Sequence, residues 1–321
     1  MHATRTAPTG HVAPVVVEAD GWRPVAPTTP VGSDDFLLAA LREGRRLPAH
    51  VHDALAEFTV RPHRSGALLV RGVDLGDVPA TPKSPTADLA KDATSEFALL
   101  TIASVLGHPI GYLPEHGGDV VQNIVPVRAS ADRQVSTSSQ IDLMFHTEAA
   151  FHPHRPRYLL LACLRGDADA HTTLSSILEV LDHLPESMVR TLRQPRFRTA
   201  VDESYLHGRQ NRLGEPMAVL QGTVDEPTLV FDEDLMVGID ADADESLREL
   251  GRAVRRHHTS VALESGDVLV VDNFVAVHGR TPFSPRYDGT DRWLQRSMVV
   301  ADLAPSASDR RGRIITTVFG D

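Results

Sequence analysis

One cysteine, Cys163, is all that the 321 residues contain. An intramolecular disulfide framework is thereby excluded, and the composition fits a reducing compartment, the cytoplasm. No apolar run reaches the roughly 20 residues of a membrane-spanning helix. Residues 1–33 are rich in Pro, Thr, Ala and Val but lack the apolar core of a signal peptide, and read as a partly flexible arm. There is no P-loop, no Gly-x-Gly-x-x-Gly and no nucleophile elbow, which removes the commonest signatures of nucleotide and acyl-transfer chemistry. No internal repeat is evident. A formal charge of −11 disfavours a polyanionic partner such as nucleic acid.

What the chain does have is His146-Thr147-Glu148, answered downstream by Val277-His278-Gly279-Arg280 and then by Arg292. In a strand, residues i and i+2 point to one side, whereas in a helix they diverge by roughly 200°. His146 and Glu148 can therefore share an ion only if this stretch is extended, with Gln140–Phe145 before it and Ala149–Phe151 after it as apolar flanks. Two imidazoles and one carboxylate form a facial triad suited to non-haem Fe(II), leaving half of an octahedral shell open for a chelating co-substrate and O2. A lone His-x-Glu among 16 histidines would be a solvated strand edge. His278 changes that reading, because it closes a segment of Gly-Asp turn, apolar strand, Asp272-Asn273 turn and second strand.

In this order, with Arg292 fourteen residues past His278, the motifs resemble the Fe(II)/2-oxoglutarate-dependent oxygenases. More narrowly, they are similar to the clavaminate synthase-like branch that hydroxylates free arginine, asparagine and lysine. The resemblance runs from about Gly107 to Val300 and includes Gly107–Tyr112, Gln122–Pro126 and Phe145–Pro153. It implies that His146, Glu148 and His278 bind Fe(II), and that Arg292 pairs bidentately with the distal carboxylate of 2-oxoglutarate, assisted by Thr173 or its neighbour Thr172. Arg296, four residues on and on the same strand face, would hold the substrate carboxylate, with Gln122 and Ser136 at its polar groups. Asp232 and Asp234 would meet a cationic side chain, which favours a basic amino acid, arginine before lysine, oxidised at an unactivated carbon such as C3 or C4. Glu148 fills the position that halogenating members leave open for chloride.

The expected architecture is mainly β with helices: a double-stranded β-helix, or jelly roll, buttressed by helices in one domain over 34–321, with an insert near 180–260. Helices are predicted over 34–43, 48–58, 87–106, 185–192 and 244–257, and an early strand over 65–73. Desaturation, cyclisation and asparagine hydroxylation stay open within the class. Outside it, a zinc hydrolase would call for a helical His-Glu-x-x-His, which is absent, and would leave Arg292 without a role, while the intact ligands with a well-placed arginine speak against a non-catalytic cupin-like barrel.

Overall fold

A computed structural model describes residues 12–61, 63–87, 89 and 91–320. The first eleven residues of the expected arm lie outside them, as do positions 88 and 90 of the helix predicted over 87–106. That helix is shorter, Thr94–Leu106. It begins where the Asp92 carboxylate accepts from the Thr94 N–H at 3.0 Å, which satisfies one of the free donors of the first turn. The helix Asp34–Glu43 starts as its sequence predicts, with the Ser33 hydroxyl accepting from Phe36 N–H at 3.2 Å. The predicted 244–257 helix starts earlier, at Ala241, because Asp240 caps it by accepting from Ala243 N–H. The helices predicted over 48–58 and 185–192 span Ala49–Val60 and Glu186–Leu192, and the early strand is Ala67–Arg71.

The fold is mixed α/β, with a central β-sheet buttressed by helices. Its nine strands include, side by side, Ala67–Arg71, Val268–Asp272, Tyr158–Arg165 and Trp293–Val300. These central strands are near-continuous apolar runs because both of their faces are covered. On one face Leu160, Ala162, Val268 and Val270 pack with Leu55, Leu99 and Ile102 of the helices. On the other, Leu159, Leu161, Leu269 and Met298 pack with Leu174 and Ala276 of a second sheet. Each such side chain contributes roughly 1.5–3 kcal/mol on full burial. The second sheet has four strands in the order Thr259–Ala262, His171–Ser176, Ala276–Arg280, Leu143–His146. Among the described residues no strand pairing closes the two sheets into a barrel, so the expected closed core is observed as two facing sheets.

Residues 177–258 leave the second sheet from one strand and return to its neighbour, since His171–Ser176 pairs antiparallel with Thr259–Ala262. Between them the amphipathic helix Ala241–Arg256 buries Leu250 and Val254 against Phe145, Phe231 and Val277. This packing fastens the segment around Asp232 to the strands that carry both triad histidines. No helix of the described residues is long and apolar enough to cross a membrane.

Gly111, in the strand His108–Tyr112, shows how closely the cavity-forming turn packs: a Cβ there would collide with the backbone carbonyl of Gly118. Gly111→Ala is expected to lower the unfolding free energy by about 2–3 kcal/mol, read as a lower urea midpoint at unchanged slope.

Candidate active site

The second sheet brings the imidazoles together. His146 ends the strand Leu143–His146 and stands directly opposite His278 on Ala276–Arg280, with ring centroids 4.3 Å apart. The His146 Nδ1–H donates to the Met144 carbonyl at 2.8 Å, which leaves Nε2 as the free lone pair. His278 turns Nε2 toward Glu148 Oε2 at 3.6 Å, too long for a hydrogen bond and short enough for both to share one ion. One ligand atom from each of His146, Glu148 and His278 lies within 4.8 Å of the others.

Glu148 does not reach this position by simple alternation. The strand stops at His146, and Glu148 lies in the following turn, where Ala149 adopts a left-handed φ of 51°. The expected apolar strand continuing through Phe151 is thus a turn, for two reasons. Thr147 is drawn to the neighbouring chain, its N–H donating to Phe231 O at 2.7 Å and its hydroxyl accepting from Phe231 N–H at 3.1 Å. Asn273, fully buried, then clamps the Glu148 peptide. Its Oδ1 accepts from Glu148 N–H at 2.7 Å, while Nδ2 donates to Glu148 O at 3.1 Å and Pro156 O at 2.9 Å. The Asp-Asn turn is therefore the support of the metal-side carboxylate as well as a hairpin corner.

The main sheet supplies the cations. Arg292, Leu294 and Arg296 share a face and all line one cavity of about 640 Å³ together with the triad. Arg296 Nη1 donates to Glu148 Oε1 at 3.1 Å, Nε donates to Gln122 Oε1 at 3.0 Å, and Nη2 reaches Glu115 and Gln122. Burial alone would push the Glu148 carboxyl up, but Arg296, helped by His278 and His146, holds it well below the usual carboxylate range. Burial, then the neighbouring His146, pushes His278 down to about 4, so it is a neutral donor. Glu148 ionised and His278 neutral are the protonation states that a metal requires. Burial raises the Glu115 carboxyl, with Arg296 opposing it.

Arg292 differs from its neighbour. It is 6% exposed, burial lowers its pKa, and no hydrogen bond or ion pair to another described residue satisfies its guanidinium. A buried guanidinium that lines a cavity with no hydrogen bond or ion pair to another described residue is suited to an anionic ligand. Thr172 lines the cavity beside it, whereas Thr173 does not. The register explains this: Thr172 pairs with Arg280 and Leu174 with His278 on the inner face, while Thr173 pairs with Gly279 on the outer one. Of the two neighbouring threonines, the inner position belongs to Thr172. Ser136, Asp232 and Asp234 line the cavity. Asp232 is half-buried and spends Oδ1 on the N–H groups of Asp234 and Leu235, so the pair forms a turn and not the same-face strand pair expected from its spacing. Gln122 lies outside the cavity lining and instead anchors Arg296, opposite which it pairs. Glu115, Tyr205, Asp202 and Glu203 also line the cavity. No local motif marks them, because Glu115 and the 202–205 segment are remote in sequence from the triad.

The site fits a divalent metal with open positions next to a buried arginine, and the comparisons agree with the metal triad. Residues 25–298 match the family described as taurine catabolism dioxygenase TauD, TfdA family. The chain is 39% identical to an L-lysine 3-hydroxylase from Catenulispora acidiphila, over 89% of this chain and 82% of that protein. It is 36% identical to an L-asparagine oxygenase from Streptomyces coelicolor, over 92% and 89%. Among solved structures it superposes with TM-score 0.85, at 35% identity over 91% of this chain and 92% of the other, on an asparagine oxygenase holding Fe(II), 3-hydroxyasparagine and succinate. The non-haem iron oxygenase OrfP, holding Fe, succinate and (3S)-hydroxy-L-Arg, superposes with TM-score 0.80 at 31% identity over 89% and 92%.

Asn273→Ala leaves the Glu148 peptide unpartnered in the interior. It is expected to weaken divalent-metal affinity roughly 10- to 100-fold, measured by Co(II) titration, with the far-UV circular dichroism retained.

Proposed function

The chain belongs to the TauD, TfdA family as an Fe(II)/2-oxoglutarate-dependent dioxygenase of the arginine/asparagine/lysine hydroxylase branch, and we propose that it hydroxylates a free basic amino acid, L-lysine or L-arginine, at C3. The observation that carries this reading is the pair of buried arginines lining the cavity beside the triad, one without a hydrogen bond or ion pair to another described residue and the other bracketed by acids. His146, Glu148 and His278 hold Fe(II). Arg292 takes the distal carboxylate of 2-oxoglutarate, with the Thr172 hydroxyl beside it. With Fe(II), 2-oxoglutarate and O2 bound, the site supplies oxidative decarboxylation to succinate coupled to hydroxylation of a C–H bond. We read the two facing sheets as the double-stranded β-helix core that this chemistry uses, and the chain from 34 onward as one domain with its insert over the cavity.

The remaining residues recognise a zwitterion with a cationic tail. Arg296 keeps one Nη1–H beyond its bond to Glu148, and with the Ser136 hydroxyl it meets the α-carboxylate. Glu115, in contact with Arg296, offers the opposite charge to the α-ammonium. Asp202, Glu203, Asp232 and Asp234 line the cavity as well, four acids suited to a side-chain ammonium or guanidinium. Arginine stood first on residue pattern. The lysine 3-hydroxylase supports lysine beside it, and that relative, (3S)-hydroxy-L-Arg in OrfP and 3-hydroxyasparagine in the asparagine oxygenase together support C3.

Incubation with Fe(II), ascorbate, 2-oxoglutarate and air against a panel of free amino acids is expected to add one oxygen to lysine or arginine, with succinate formed in step. Loss of two hydrogens would identify a desaturase, and succinate without a modified amino acid would reject a free amino acid as substrate. Arg292→Ala is expected to raise the KM for 2-oxoglutarate at least about tenfold with the amino-acid KM little changed. Asp232→Ala should do the reverse, and an unchanged substrate profile in that variant would remove the acid wall from the argument.

A further inference from the structure

Glu115 is 7% exposed, and each of its oxygens has one donor: Arg296 on Oε1, and the Tyr205 hydroxyl on Oε2 at 3.1 Å. Tyr205 comes from a different part of the chain, the loop 201–211 that borders the cavity. Asn211 closes this loop on itself, its Nδ2 donating to Val201 O at 2.7 Å and its Oδ1 accepting from Val201 N–H at 3.0 Å. His207 Nε2 docks on Pro114 O at 2.6 Å, one residue before Glu115. The Tyr205 ring stands among Phe151 at 4.9 Å, Tyr112 at 5.7 Å and Phe319 at 6.4 Å. Phe319, near the C-terminus, meets Phe151 edge-on at 5.0 Å and 90°. Burial, with Glu115 adding to it, pushes the Tyr205 phenol well above its usual range, so it stays a hydroxyl donor across any working pH.

We propose that Tyr205 is a positioning residue for the substrate ammonium: its hydroxyl fixes the second oxygen of Glu115, so that the carboxylate stays turned to the cavity beside Arg296, and Phe319 buttresses its ring. The terminal carboxylate torsion of glutamate is soft and roughly two-fold. With Arg296 alone as donor, Glu115 could swing toward full pairing with that arginine and withdraw from the cavity. The assignment rests on the zwitterion reading above and deepens it. It also gives the C-terminal segment a part in recognition, since Phe319 touches Tyr205 and Phe151 but does not line the cavity.

Tyr205→Phe removes the hydroxyl and keeps the ring, so the aromatic cluster persists. Calorimetry on the anaerobic Fe(II)/2-oxoglutarate enzyme, with L-lysine and L-arginine as probes, is expected to show the amino-acid Kd raised roughly 10- to 100-fold with 2-oxoglutarate affinity unchanged. Phe319→Ala should shift the same constant in the same direction by less, and Phe319→Tyr should restore it. An unchanged amino-acid Kd in Tyr205→Phe, or equal losses for both ligands, would overturn the assignment. If neither amino acid binds the parent enzyme, the substrate reading fails by itself. Crystal structures of parent and Tyr205→Phe then decide the Tyr205 role without substrate: a Glu115 carboxylate turned from its place supports it, and an unmoved one refutes it.

Discussion

Arg296 carries one positive charge between two buried carboxylates, Glu115 and Glu148. Two buried acids and one arginine leave a net negative charge in a low-dielectric interior, an arrangement that is costly unless another cation joins it. Glu148 faces His146 and His278, so a divalent ion at the triad is the cation that completes the balance on that side. A substrate ammonium at Glu115 would do the same on the other. One guanidinium thereby couples Glu148 to Glu115, with Gln122 bonded to the guanidinium and Tyr205 to Glu115.

The two sheets divide the labour. The second sheet presents both imidazoles from adjacent antiparallel strands, where register alone puts them opposite each other. The central sheet presents Arg296 from the strand Trp293–Val300, buried along its whole length, and Arg292 from the residue just before it, and both line the cavity. The apolar layer between the sheets keeps solvent from that face and fixes the distance between cations and metal ligands. A change in sheet packing would therefore be felt as a change in site geometry before it was felt as loss of fold.

Residues 177–258 supply what the sheets cannot. They return to the strand beside their departure and lay the Asp232 turn against the His146 strand, through the bridge between His146 and Asp232 and the Phe231–Thr147 bonds. The same contacts end that strand and turn Glu148 toward the metal side. The placement of the Asp232 turn and that of Glu148 are thus mechanically linked.

The sequence by itself determined which three side chains could share an ion, because His-x-Glu and a His-Gly after an apolar run are local patterns, and it marked the Ser33 cap of the first helix; the role expected of Arg292 came from the resemblance to the oxygenases and not from spacing. It also named both Asp232 and Asp234 as cavity acids. Short range misled it where a backbone bond to a distant residue outweighs local preference. Thr147 and Asn273 convert an expected strand into the turn that carries Glu148, and strand registry puts Thr172, not Thr173, on the inner face. Gln122, expected at the substrate, lies outside the cavity lining and accepts from the Arg296 guanidinium, which its residue pattern does not disclose. Only the tertiary structure decided that Glu115, Tyr205 and Phe319 belong to one array, for no spacing relates residues 115, 205 and 319. They meet because sheet packing and loop closure bring three remote segments together, with Phe319 behind the Glu115 and Tyr205 that line the cavity, and that information lies in the fold as a whole.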